Sequence, residues 1–166
     1  SELRWGKNSD TQSIYYVHGA LHLFDTGIDV IKEEYTSEHV LLENVKGRMA
    51  KKEYPIFVTA GNGEEKLSHI RHNRYLSHCY DTLSNIDGSL ICFGFGFGPY
   101  DEHIIAAINK AAKKKKGKDD KWHMLNSIYI SVYSEADLKH LKSIESKFKK
   151  LPIRYFDAKT VNVWGK

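Results

Sequence analysis

The feature that most constrains the fold is a rhythm. Short runs of β-branched and aromatic residues alternate with longer stretches whose apolar residues recur every three or four positions. The runs cover 13–17, 56–60, 89–93, 127–133 and 153–156, and such runs read as buried strands. Between them lie helical stripes: Val40, Leu41 and Val45 within 37–51; Leu67, Ile70, Cys79, Leu83 and Ile86; Ile104, Ile105, Ile108 and Ala112 within about 100–115; Leu138, Leu141, Ile144 and Phe148. Ser37 is a candidate N-cap, helical order breaks near Asn73, and Ser134 to Asp137 has the spacing of a capping box. Strands alternating with helices at this spacing predict βαβ units. The expected fold is therefore α/β, three-layered and Rossmann-like, with a mainly parallel sheet. A short alternating run at 21–24 ending in Asp25-Thr26-Gly27 adds a small irregular or hairpin part over 20–35.

A chain of 166 residues, 41% hydrophobic and 28% charged, has enough apolar surface for one domain with a real core. The expectation is a single α/β domain over 1–166. No run of about 18 apolar residues is present, so no membrane partner is expected. Ser1-Glu2-Leu3-Arg4 lacks the apolar segment of a signal peptide, and the absent initiator Met suggests a processed or truncated chain. Two cysteines, Cys79 and Cys92, supply neither a disulfide framework nor a four-cysteine zinc site, which fits a reducing, cytoplasmic setting. The nine histidines form no HExxH or Cys/His cluster, so no metal is expected. Net charge is +4, and Lys113 to Lys116 complement the dipole at a helix C-terminus without alternating aromatics. A nucleic-acid partner is accordingly not expected.

In parallel α/β sheets ligands bind beyond the carboxyl ends of strands. Three loops are placed there by this reading: His18-Gly19, Gly61-Asn62-Gly63 and Gly94 to Asp101. His18, directly after the first run, has a near-neutral pKa suited to taking a proton from a hydroxyl, and Gly19 would admit a ligand close to the backbone. The alternative is a histidine hydrogen-bonded within a turn, with His22 its solvent-facing neighbour. Gly94-Phe95-Gly96-Phe97-Gly98 before Asp101 can cradle a phosphate or ribose, or can serve close packing of helix on sheet. Asp101 is equally a first-turn dipole partner. Gly61-Asn62-Gly63 lines a pocket or is a plain turn.

Tyr16-Val17-His18-Gly19-Ala20-Leu21-His22 resembles the His-Gly element of the sirtuin-like superfamily, and 91–96 running on to Asp101-Glu102-His103-Ile104 is similar to its later strand–turn–helix element. Residues 55–61, 65–67 and 75–76 lie between them as in an uncharacterised bacterial branch of that group, so the resemblance spans roughly 14–135. It implies NAD as ligand or substrate, His18 as general base at the nicotinamide ribose, and Gly19, Gly94, Gly96 and Asp101 around the nucleotide. The glycine-rich phosphate loop of the superfamily has no counterpart before His18, which implies the C-terminal part of a longer sirtuin-like protein. Ser84-Asn85-Ile86-Asp87 imitates the superfamily's Asn-Ile-Asp string but follows His18, so it is not taken as the catalytic asparagine. No cysteine precedes Cys79, which speaks against a zinc-dependent deacylase. The implied activity is NAD binding or glycohydrolase-like cleavage; the alternative is a non-catalytic ligand-sensing or assembly domain. Tyr155 and Trp164 serve core packing or, as the alternative, a partner interface, and a sheet edge lacking its neighbour would favour homo-oligomers.

Overall fold

The computed structural model describes residues 2–5, 14–35, 40–59, 61–117, 120–149 and 151–162. Ser13, Ser37, Ala60 and Trp164, which figure in the sequence reading, lie outside the described residues. The chain divides into two compact units, Ser1–Gly61 with Glu65–Tyr80, and Asn62–Glu64 with Asp81–Lys166.

The first unit carries a four-stranded sheet in the order β1-β3-β2-β4, formed by Glu2–Arg4 (β1), Gly19–Asp25 (β2), Val30–Glu33 (β3) and Pro55–Phe57 (β4). Every pairing in it is antiparallel. The expected hairpin over 20–35 is present as β2–β3. Its turn is closed by Thr26 N–H donating to Asp29 O, and Gly27 sits at φ +80° with its N–H on Asp25 Oδ1. Leu23 with Phe24, and Val30 with Ile31, are consecutive and buried, so both faces are covered at these positions. Helix α1, Leu41–Ala50, packs against β2 and β3, and its N-cap position is Val40, which offers no side-chain cap. From α1, Arg48 pairs with the buried Glu33 and with Glu53 (2.6 Å), and its guanidinium lies 5.2 Å from the Phe24 ring centroid. Burial opposes the Arg48 charge, but the hydrogen bonds it donates to the two carboxylates, with their negative charge, outweigh it and hold its pKa above the ordinary value.

The helical break near Asn73 is real. Helices α2, Gly63–His72, and α3, Arg74–Leu83, meet there. Asn73 Oδ1 accepts from the N–H groups of Tyr75 and Leu76, capping α3, while its Nδ2 donates to Asp25 Oδ2 at 2.9 Å.

The second unit contains a parallel sheet in the order β5-β8-β9, from Gly88–Cys92 (β5), Leu125–Val132 (β8) and Ile153–Asp157 (β9). Helix α4, Glu102–Ala111, connects toward β8 through a two-stranded hairpin of Lys115–Lys116 (β6) and Trp122–His123 (β7). Helix α5, Glu135–Ile144, connects β8 to β9. β8 is the central strand of this sheet, and its Leu125, Ile128 and Ile130 are fully buried. Ser134 caps α5 with both reciprocal bonds of the capping box in place. The α/β class and a parallel sheet are thus present, but the expectation of a mainly parallel sheet is corrected, because the larger, four-stranded sheet is antiparallel throughout. Parallel pairing is confined to the β5-β8-β9 sheet among the described strands, where α4 lies between β5 and β8 and α5 between β8 and β9.

One strand reading needs correction. Residues 14–16 form no strand, and Val17-His18 is a turn preceding β2. The aromatic run is satisfied through rings instead: Tyr16 packs edge-on against His22 at 5.1 Å, and its N–H donates to the Tyr75 hydroxyl.

Candidate crevice at the carboxyl edge of the parallel sheet

A parallel sheet ends its strands on one side, and the loops after β5 and β8 leave a gap there. The chain after β5 turns at Gly94, whose φ of +68° is a left-handed conformation that a side chain would strain. Gly94 N–H donates to Ser131 Oγ at 2.9 Å, which ties this turn to the end of β8. Three residues on, Phe97 holds φ +50° without being glycine. Its ring is 2% exposed and packs edge-on with Phe95 and Phe148 at 4.7 and 5.2 Å, which offsets the backbone strain. His140 on α5 places Nε2 3.1 Å from Gly96 O and 3.2 Å from Phe97 O, one ring nitrogen shared between two carbonyls. The loop is therefore held from β8 on one side and α5 on the other.

What remains between them is a crevice of about 360 Å³, lined by Phe93, Gly94, Phe95, Gly96, Ser131, Tyr133, Asp137, His140, Leu141 and Ala158. Neither Gly94 nor Gly96 has an atom within 4 Å of where a Cβ would stand, so their missing side chains keep space open. Asp137 Oδ2 accepts from Ser134 N–H in the capping box. Tyr133, 69% exposed, also lines a second crevice of about 390 Å³ beside β9, where the Lys159 ammonium lies 4.8 Å from its ring. Cys92 ends β5 below the loop, and burial pushes its thiol up to about 11, so it is no ready nucleophile at neutral pH.

The predicted residues come from both units. Gly94 and Gly96 line the crevice. Asp101 stands at the N-cap position of α4 without a side-chain cap bond and is not among the residues that line the crevice. His18 and Gly19 belong to the first unit. The His18 carbonyl accepts from Val58 N–H at 2.9 Å, and Gly19 N–H closes the turn onto Tyr16 O. Gly19 has φ +77°, and a Cβ there would lie 2.0 Å from Ile56 O, so its glycine is required by the pairing of β2 with β4. His22 is half-buried rather than solvent-facing; burial, then Lys32, lowers its pKa. Gly61-Asn62-Gly63 leads into α2, with Asn62 Oδ1 accepting from Glu64 N–H, and none of the three lines the crevice.

Sequence reasoning missed Ser131, Asp137 and His140. A usable signal was present: Ser131 ends a strand, and Asp137 and His140 lie three apart on the helix that follows, hence on one face. No similar curated protein and no similar solved structure was found. A family model does match, over residues 2–164, and the chain belongs to that family, the domain of unknown function DUF4917.

Proposed function

We propose that the second unit binds a nucleotide-type small molecule in the crevice beyond β5 and β8, with NAD the candidate ligand. The observation that carries this reading is the position of the crevice, at the carboxyl ends of adjacent parallel strands and floored by an open Gly94–Gly96 turn. Its volume of about 360 Å³ is near the lower end of small-molecule sites, roughly 300–1,000 Å³. That suits one half of a dinucleotide. The chemistry favours the ribose and base over the phosphates: the capping box already closes the N-terminus of α5, and a carboxylate such as Asp137 recognises a ribose diol but repels a pyrophosphate. Exposed rings at Phe93 and Tyr133 offer a base a surface.

The resemblance of 16–22 and 91–104 to sirtuin-like proteins supplies NAD as the nucleotide and general-base catalysis as the role of His18. Binding without turnover is the second reading. It is favoured by Gly19, whose glycine is already accounted for by strand pairing.

Calorimetric titration of the chain with NAD, ADP-ribose and nicotinamide tests the proposal. The expected affinity is millimolar, about −4 kcal/mol, for ligands containing ribose. Gly96→Leu fills the crevice without backbone strain and should abolish the heat while leaving the thermal transition in place. Absence of any heat with NAD and ADP-ribose at 10 times that concentration range, or equal binding by Gly96→Leu, would overturn it. NAD hydrolysis compared between the unaltered chain and His18→Ala separates the two readings: turnover lost in the variant supports catalysis, and no turnover in either supports sensing.

A further inference from the structure

The charge of this protein is concentrated in one place. Between residues 110 and 123 lie seven of its 25 lysines and arginines and two of its 21 acidic residues, so this segment carries +5 while the rest of the chain carries −1. As a linear string, Lys113 to Lys116 contains no aromatic residue. The fold changes that. β6 and β7 pair antiparallel with Lys116 opposite Trp122 and Lys115 opposite His123, which brings an indole onto the lysine run. The Lys114 ammonium lies 4.7 Å from the Trp122 ring centroid, over one face, yet Trp122 remains 61% exposed.

The hairpin is fixed rather than merely basic. Lys115 turns inward, donating from Nζ to Ser84 O at 2.7 Å and to Asn85 Oδ1 at 2.9 Å, and burial with Lys110 nearby holds its ammonium below the ordinary lysine range. His123 Nδ1 meets Asp87 Oδ2 at 2.6 Å. Gly117 N–H donates to Lys121 O at 2.7 Å, closing the pair. Lys115 serves as an anchor, whereas Lys110, Lys113, Lys114 and Lys116 are each exposed, the last in an ion pair with Asp120.

We infer that the β6–β7 hairpin is a binding surface for single-stranded nucleic acid, with a base stacked on Trp122 and phosphates met by Lys110, Lys113 and Lys116. Both halves of that recognition are on the surface: an aromatic face for sequence-tolerant stacking and cations beside it for the backbone. An anionic bilayer is the poorer match. Insertion at a membrane surface needs contiguous apolar area, and here the described neighbours of the indole on the hairpin are lysines, glycine, aspartate and histidine. Asp120 also tempers the charge, so the surface suits a ligand that combines stacking with charge rather than charge alone.

Fluorescence anisotropy of a labelled oligo-dT 20-mer with the full chain, over about 20–200 mM KCl, tests this. Three to four phosphate contacts should give log Kobs against log salt a slope of about −2 to −3. Lys113→Gln/Lys116→Gln should make the slope shallower by about 1.4. Trp122→Ala should weaken binding about tenfold at unchanged slope, and Trp122→Tyr, which keeps a ring, should restore most of it. Circular dichroism of each variant confirms the fold, and the tyrosine variant covers the case in which alanine disturbs the hairpin. Four results would overturn the inference: no binding at 20 mM KCl, Trp122→Ala binding as well as the unaltered chain, heparin binding with the same Trp122 dependence although it has no bases, or vesicles containing 30% phosphatidylserine displacing the oligonucleotide.

Discussion

Gly19→Ala distinguishes a structural from a ligand-directed glycine, and its effect can be worked out from the backbone. At φ +77° any L-residue is strained by about 1–2 kcal/mol. The new Cβ would also stand 2.0 Å from Ile56 O and 2.7 Å from Ile56 C, so β2 and β4 must part by about an ångström to recover even a 3.0 Å contact. That separation breaks the Val58 N–H to His18 O bond and the pairing of Gly19 with Phe57. Two backbone bonds at about 0.5–1.5 kcal/mol each bring the total to about 2–5 kcal/mol. Urea denaturation reads this, followed by fluorescence in a background with Trp122 and Trp164 replaced by Phe. There Trp5 reports on the first unit, its ring 5.6 Å from that of Tyr75. Amide exchange at Val58 should accelerate in parallel. Gly96→Ala is the control, since nothing lies within 4 Å of its Cβ, and should change stability by less than about 0.5 kcal/mol. A loss below about 1 kcal/mol for Gly19→Ala, accompanied by weaker NAD binding, would refute the strand-pairing account and return Gly19 to a ligand role.

Arg48→Met should cost about 3–5 kcal/mol, because it leaves Glu33, 8% exposed, without the guanidinium that pairs with it; Glu33→Leu in the same chain should recover much of that in urea melts. Burial, with the hydrogen bond to Glu145 second, pushes the Tyr155 hydroxyl up to about 12 from an ordinary 10. Its contribution to stability is therefore complete below pH 10 and lost as pH rises from 10 through 12. Absorbance titration should show this late ionisation, and Tyr155→Phe should remove that part of the alkaline loss. A midpoint near 10 in the folded chain would contradict the packing of Tyr155 against Glu145.

Much of the second unit was legible in the sequence because its signals are local and mutually consistent. The stripes of α4 and α5, the capping box at Ser134, the β-branched run of β8 and the glycine turn after β5 each depend on residues a few positions apart. Asn73 marked the α2–α3 break for the same reason, since an asparagine caps within its own turn. The first unit was harder to read. Residues 14–17 have the composition of a strand, yet composition cannot say whether a ladder partner arrives, and the turn at Val17-His18 makes pairing begin at Gly19. Parallel or antiparallel pairing of β4 was likewise settled by β2, 30 or more residues away in sequence. The crevice needed the tertiary structure most. Ser131, Asp137 and His140 become one site with Gly94 and Gly96 only when β8 lies beside β5 and α5 folds back over the strand ends. Trp122 meets Lys114 only when β6 and β7 pair. Chain order fixes which residues are available and how each short segment bends. Which of them share a surface is decided by long-range pairing, whose entropy cost is met only by burial that no local window contains.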